Sequence, residues 1–309
     1  MLFPMHVRRA LRWGVLPVLG VLLLPAMLCG CPYVEALPGL YPLGQPPADG
    51  EFATIEMQGQ NLDLFYVKKG TGEPHILVIN GLDENVNLWK KTLPGLADLG
   101  TVVIYDRGGV GWSDPGLNPR NANTISEEMR AFLRAIDFEP PYILVAHSLG
   151  GLYARYYANN YPSEVSGIVL VDTTHEDYWW RTGLLLSAKT VETMNRSLNL
   201  SQDIITRSQT GAMGEYQNTD FTASLVRANR AVPDVPLIML GQSIERFSLI
   251  TNDDNEALRA SMLMREMYQD QADLTPGGIW ETVENSSHFM MQDQPEVIVD
   301  ATQRVIEGW

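Results

Sequence analysis

Short apolar runs separated by longer amphipathic stretches organise the chain beyond residue 50. His75-Ile-Leu-Val-Ile-Asn80 and Thr101-Val-Val-Ile-Tyr-Asp106 are continuous apolar runs with polar ends, the pattern of strands buried on both faces. Tyr142–Val145, Gly167–Asp172, Val235–Gly241 and a run near 279–284 repeat it. Helical periodicity fills roughly 86–98, 124–137, 149–160 and, at the end of the chain, Pro295–Ile306. Strands alternating with helices predict a parallel sheet with helices on both faces. Right-handed crossovers then bring the strand ends to one edge, where such sheets carry their sites. Residues 51–67 alternate around Ile55-Glu56-Met57 and Leu62–Val67, which predicts an antiparallel hairpin opening the sheet. Residues 173–234 lack strand periodicity and form an insert between two sheet strands.

One junction carries candidate chemistry. Ala146-His147-Ser148-Leu149-Gly150-Gly151 follows an apolar strand and opens a helix. A serine in a sharp strand-to-helix turn lined by small residues is a nucleophile elbow, here with Ala146 in place of the usual first glycine. The helix N-terminus behind Ser148 directs N–H groups to where an oxyanion would form.

With Asn80-Gly-Leu-Asp-Glu-Asn-Val-Asn-Leu-Trp89 and Tyr105-Asp-Arg-Gly-Gly-Val-Gly-Trp-Ser113, this elbow resembles the α/β-hydrolase superfamily over roughly residues 50–309. Asn80 stands where that family carries the histidine of its oxyanion loop. The resemblance implies a mostly parallel eight-stranded sheet with helices on both faces, and a helical lid built from the 173–234 insert. It implies a base in the loop after the last strand, and His288 occupies that loop in Asn285-Ser-Ser-His-Phe289. The other four histidines fit less well. His6 lies in a targeting segment, His75 precedes the elbow, His175 follows the Asp172 strand, and His147 adjoins the serine on a strand where neighbours point to opposite faces.

Three places remain open for the acid. Asp172, at the end of its strand, is the favoured one. Glu245 lies after the 235–241 strand, near the family's more usual position. Asp253 or Asp254 could serve, or could cap a helix instead. The oxyanion hole would use the backbone N–H groups of Leu82 and Leu149. Asp106 and Arg107 read as residues pinning the turn after a strand. No G-x-G-x-x-G or Walker motif is present, and histidines and cysteines do not cluster along the sequence at metal-ligand spacing, so neither cofactor nor metal is expected.

The first thirty residues have a signal-peptide pattern: His6, Arg8, Arg9 and Arg12, then the 16-residue apolar run Trp13–Leu28. Leu28-Cys29-Gly30-Cys31 resembles a bacterial lipobox, which implies cleavage before Cys31 and its acylation. Both cysteines of the chain lie there. An ordinary secretory signal is the alternative. Residues 31–50 contain five prolines and three glycines, the composition of a tether between membrane and a domain at 51–309. The expected location is therefore the cell envelope, lipid-anchored, or else secreted or periplasmic.

Net charge is −15, and removing residues 1–30, with three arginines and no acid, takes it to −18. Such a surface disfavours nucleic acid and polyanionic substrates. In the insert, Tyr178-Trp-Trp180, Leu184-Leu-Leu186, Met194 and Leu198 supply apolar surface that either packs the insert on the body or lines an apolar pocket. The expected activity is hydrolysis of a small apolar carboxylic ester by Ser148, His288 and Asp172. An aminopeptidase or amidase on the same fold comes second, and a catalytically silent binding protein third. The family's dehalogenase and epoxide hydrolase members use an aspartate nucleophile, against which Ser148 argues.

Overall fold

A computed structural model describes residues 44–185, 187, 211–243 and 253–308. The expected targeting segment with His6, Cys29 and Cys31, most of the tether, Leu186, Met194, Leu198 and Glu245 lie outside the described residues. An eight-stranded sheet forms the centre. Its strands are β1 (Glu51–Met57), β2 (Gln60–Lys69), β3 (His75–Ile79), β4 (Thr101–Tyr105), β5 (Tyr142–His147), β6 (Val165–Val171), β7 (Leu237–Gln242) and β8 (Ile279–Val283). Their spatial order is β1-β2-β4-β3-β5-β6-β7-β8. β1 and β2 form the expected antiparallel hairpin, β2 runs antiparallel to β4, and all later pairings are parallel.

The period-two geometry of the strands sorts the core into two layers. Leu77, Ile79, Val103, Leu144, Ile168, Leu170 and Met239 pack into one layer with α2 (Ala122–Ala135) and α3 (Gly150–Asn160). The alternate residues Ile76, Val78, Val102, Val145, Val169, Val171 and Leu240 pack into the other with α1 (Leu93–Leu99) and the C-terminal helix Pro295–Glu307. Burial on both sides is why these strands read as unbroken apolar runs.

The helix expected over 86–98 is two pieces. A 3-10 turn, Val86–Trp89, is capped by the Asn85 side chain, and α1 begins anew at Leu93 with Pro94 in its first turn. Proline lacks the N–H that would continue the earlier turn but fits a helix start, so the periodic pattern breaks there. Trp89 is fully buried beneath the turn.

The described part of the insert is helical: α4 (Tyr178–Leu185), α5 (Ala212–Gln217) and α6 (Thr219–Ala228). The helix that Asp253 or Asp254 could cap is a 19-residue one, α7 (Asp254–Ala272), lying between β7 and β8, followed by α8 (Met290–Asp293) and α9 (Pro295–Glu307). Polar contacts, some buried and some half-exposed, anchor the insert. Glu176 meets Arg155 of α3 at 2.6 Å and Arg230 at 2.5 Å, while Asp270 of α7 meets Arg230 at 2.5 Å and His175 at 2.6 Å. Trp180 and Leu184 are exposed, and Trp179 and Trp180 line a cleft of about 510 Å³ with Glu176, Asp177, Asp220, Ala223 and Arg227. Ser148, Asp172 and His288 do not line that cleft.

Candidate active site

β5 ends at His147 and α3 starts at Gly150, so Ser148 and Leu149 make the whole turn. Ser148 has φ +51°, in the left-handed region that costs a non-glycine residue about 1–2 kcal/mol. Neighbouring elements hold it there. Its N–H donates to the Val171 carbonyl at 3.2 Å, and its own carbonyl accepts from Gly151 and Thr174 at 3.1 and 2.9 Å. The helix presses close behind. A Cβ on Gly150 would lie 2.4 Å from the Ile79 carbonyl oxygen, which is the steric reason for glycine after the serine-leucine pair.

Asp172 follows β6 directly, with φ +44°, its N–H bonded to the Leu240 carbonyl at 2.7 Å. Its buried carboxylate divides between two partners. Oδ2 lies 2.5 Å from Nδ1 of His288, and Oδ1 accepts from the Tyr268 hydroxyl of α7. His288 is half-buried in the loop after β8. The structure thus joins His288 to Asp172, one residue beyond the Val171 carbonyl that holds Ser148. Asp253 instead caps α7, its side chain accepting from the N–H groups of Asn255 and Glu256 at 2.9 and 3.0 Å, and Asp254 is the first residue of that helix.

The loop after β3 is fixed from several sides. The buried Asn80 amide donates to the Tyr105 carbonyl at 3.3 Å. Arg107, also buried, donates to the carbonyls of Asn80 and Gly81 at 2.6 and 2.7 Å, and both Nε and Nη2 meet Glu215 of α5 at 2.7 Å. Arg107 therefore reaches past its own turn and joins the loop bearing Leu82 to the insert. Asp106 does pin its turn, accepting from the N–H groups of Val86 and Trp112 at 2.8 and 3.1 Å. Leu82 follows Gly81 and is half-buried, and Leu149 is buried at the start of α3.

Asp83, next in the loop, has φ +57° and a carboxyl pushed up to about 7, by burial first and then by the charges of Glu215 and Glu84. Glu84 is buried beneath it, accepting from the Gly81 N–H at 2.6 Å and meeting Nδ1 of His147 at 2.7 Å. Folding thus clusters what the sequence keeps apart: the ligand-type atoms of Glu84, His147 and His288 lie within 4.8 Å of one another. Both ring nitrogens of His147 already face oxygen acceptors, so the group is a hydrogen-bonded network rather than an open cation site.

Tyr268, Glu84 and Glu215 escaped the sequence reading. The Tyr268 signal was present, because Ala257, Ala260, Met264, Met267 and Gln271 repeat at helical spacing and put Tyr268 on the buried face. Glu84 and Glu215 carry no such signal, since their partners come from distant strands.

A family model described as "alpha/beta hydrolase fold" matches residues 74–208, from β3 through the elbow and into the insert. The chain has the α/β-hydrolase fold. Solved structures agree on it: an epoxide hydrolase of Vigna radiata superposes with a TM-score of 0.59 at 15% identity, covering 84% of this chain and 99% of that one. Among curated proteins, the uncharacterized protein YqjL of Bacillus subtilis (strain 168) is 24% identical over 75% of this chain and 83% of its own length. A haloalkane dehalogenase of Sphingobium indicum is 30% identical over 45% of this chain. The chain spans 47% of that dehalogenase and 35% of Bacillus subtilis YbdG. These comparisons support the fold and leave the bond specificity to the site itself.

Proposed function

We propose that the chain is a serine hydrolase acting on a small apolar carboxylic ester. The contact that carries this reading is the 2.5 Å bond between Asp172 Oδ2 and His288 Nδ1, beside a serine held at φ +51° in the elbow. By accepting the Nδ1–H, Asp172 fixes the tautomer with its lone pair on Nε2 and stabilises the imidazolium that forms. His288 Nε2 takes the Ser148 hydroxyl proton as Oγ attacks the acyl carbonyl. The N–H groups of Leu82 and Leu149 receive the developing oxyanion. The intermediate then expels the alkoxide, which takes the proton back from Nε2. Water, deprotonated by the same nitrogen, attacks the acyl-serine and frees the acid and Ser148. The elbow serine favours this acyl chemistry over the aspartate-nucleophile chemistry that the resemblance assigns to dehalogenases and epoxide hydrolases.

The test is turnover of chromogenic esters of rising acyl length, beside aminoacyl arylamides. Ester turnover is expected, with Ser148→Ala lowering kcat by about 10⁶-fold and Asp172→Asn by about 10⁴-fold. Arylamide turnover without ester turnover would replace the ester by an amide. Full activity in Ser148→Ala would sink the proposal. Envelope anchorage through acylated Cys31 belongs to the same proposal, and loss of fatty-acid incorporation in Cys31→Ser checks it.

A further inference from the structure

We infer that His147 and Glu84 are positioning residues that tie the base His288 to the oxyanion loop. The inference rests on the serine hydrolase reading and adds to it the means by which two distant loops keep a common geometry.

His147 is fully buried, and its ring lies against that of His288 with centroids 4.4 Å apart and planes at 46°. Its Nε2 is 2.7 Å from the His288 carbonyl oxygen, and its Nδ1 is 2.7 Å from Glu84 Oε1. Both partners are oxygens, a carbonyl and a carboxylate. A neutral imidazole has one N–H to give, and two acceptors require two. With Glu84 ionised, His147 is therefore an imidazolium. The electrostatics agree: burial alone would lower the His147 imidazole and raise the Glu84 carboxyl, yet each overrides this in the other, so that His147 is raised and Glu84 lowered.

The second Glu84 oxygen accepts the Gly81 N–H at 2.6 Å. The relay thus runs from the Gly81 N–H through Glu84 and His147 to the His288 carbonyl. Gly81 immediately precedes Leu82, the proposed oxyanion donor. A Cβ on Gly81 would lie 2.6 Å from Glu84 Oε1, so glycine there lets the carboxylate close in. A buried ion pair contributes little net stability, and its removal from one side is costly. Its use here is geometric: one chain of three hydrogen bonds sets the separation between the base and the oxyanion donor. Both residues act through the groups they hold, the His288 carbonyl and the Gly81 N–H.

Three measurements on the full-length chain in detergent test this. The first is ¹⁵N NMR with labelled histidine, in which both His147 ring nitrogens are expected to be protonated at pH 7, where an ordinary imidazole has lost one proton. The second is the rate of Ser148 labelling by a fluorophosphonate, which needs no knowledge of the substrate. In Glu84→Ala and His147→Leu that rate is expected to fall by about 10- to 100-fold, as for a catalytic group misplaced by up to 1 Å. On a turned-over ester, kcat should fall in parallel while KM stays within about threefold. The third is rescue. Glu84→Gln can accept from Gly81 through Oε1 and donate through Nε2 to a neutral His147, so it should recover most of the rate that Glu84→Ala loses.

A His147 ring carrying a single proton at pH 7 would overturn the inference. So would folded Glu84→Ala and His147→Leu proteins labelled as fast as wild type, or a Glu84→Gln protein as slow as Glu84→Ala. A wild-type Ser148 that resists labelling would remove the serine hydrolase reading and this inference with it.

Discussion

Asp83 shows how much one carboxyl in the oxyanion loop changes with pH. Burial pushes its folded pKa up to about 7, well above the ordinary aspartate value of 3.8. Between those values the native chain holds a proton that the unfolded chain has released, so this group makes stability fall as pH rises, until the native carboxyl ionises near 7. Asp83→Asn keeps a residue type that tolerates its left-handed backbone and removes the ionisation. The variant should be more stable than wild type at pH 8 and gain less than half as much at pH 5, read as the difference in urea midpoint. At this scale the sequence made much of the site legible. Ser148 and His288 are marked by motif position, and Asp172 by ending an apolar run. Tyr268, which shares the Asp172 carboxylate, was hidden because its contact depends on where α7 lies over the sheet edge. Glu84 was hidden because its partner His147 is a neighbour only after β3 and β5 pair.

Between elements, Glu215 joins α5 of the insert to the loop after β3 through Arg107. The same glutamate lies 3.8 Å from Arg120, whose guanidinium meets Glu128 of α2 at 2.5 Å. All four groups are buried, so the network is electrically balanced only as a set. Glu215→Ala leaves Arg107 short of its partner and is expected to cost about 3–5 kcal/mol, measured by denaturant unfolding. Because Arg107 also holds the Asn80 and Gly81 carbonyls, ester kcat should fall in the variant even where it is fully folded. The parallel strands were plain in the sequence because burial on two faces leaves unbroken apolar runs. The single helix expected over 86–98 was not found, because amphipathic spacing continues across residues 90–92 while the helical backbone stops at Trp89 and starts anew at Leu93. The insert was legible only as a gap in strand pattern, since its helices are set by ion pairs with α3 and α7.

For the whole molecule, those ion pairs predict how the chain responds to acid. Burial alone would raise the Glu176 carboxyl, but hydrogen bonding and charge from Arg155 override it and hold it at about 2, below the ordinary glutamate value of 4.5. The stability this supplies is fully present above about pH 4.5 and is lost as pH falls through 2, because the unfolded chain takes up the proton first. Glu176→Gln should therefore lower Tm clearly at pH 7 and by much less at pH 2.5, measured by calorimetry on both proteins. On the same scale, the proposed triad hangs from the ends of β5, β6 and β8, and β7 between them supplies none of it. With Asp172 as the acid, the chain leaving β7 is released from catalytic duty. Substitutions of the Ser243 side chain at the end of that strand would then be judged by the fold alone, which lets evolution, or an engineer, retune recognition there without touching the chemistry.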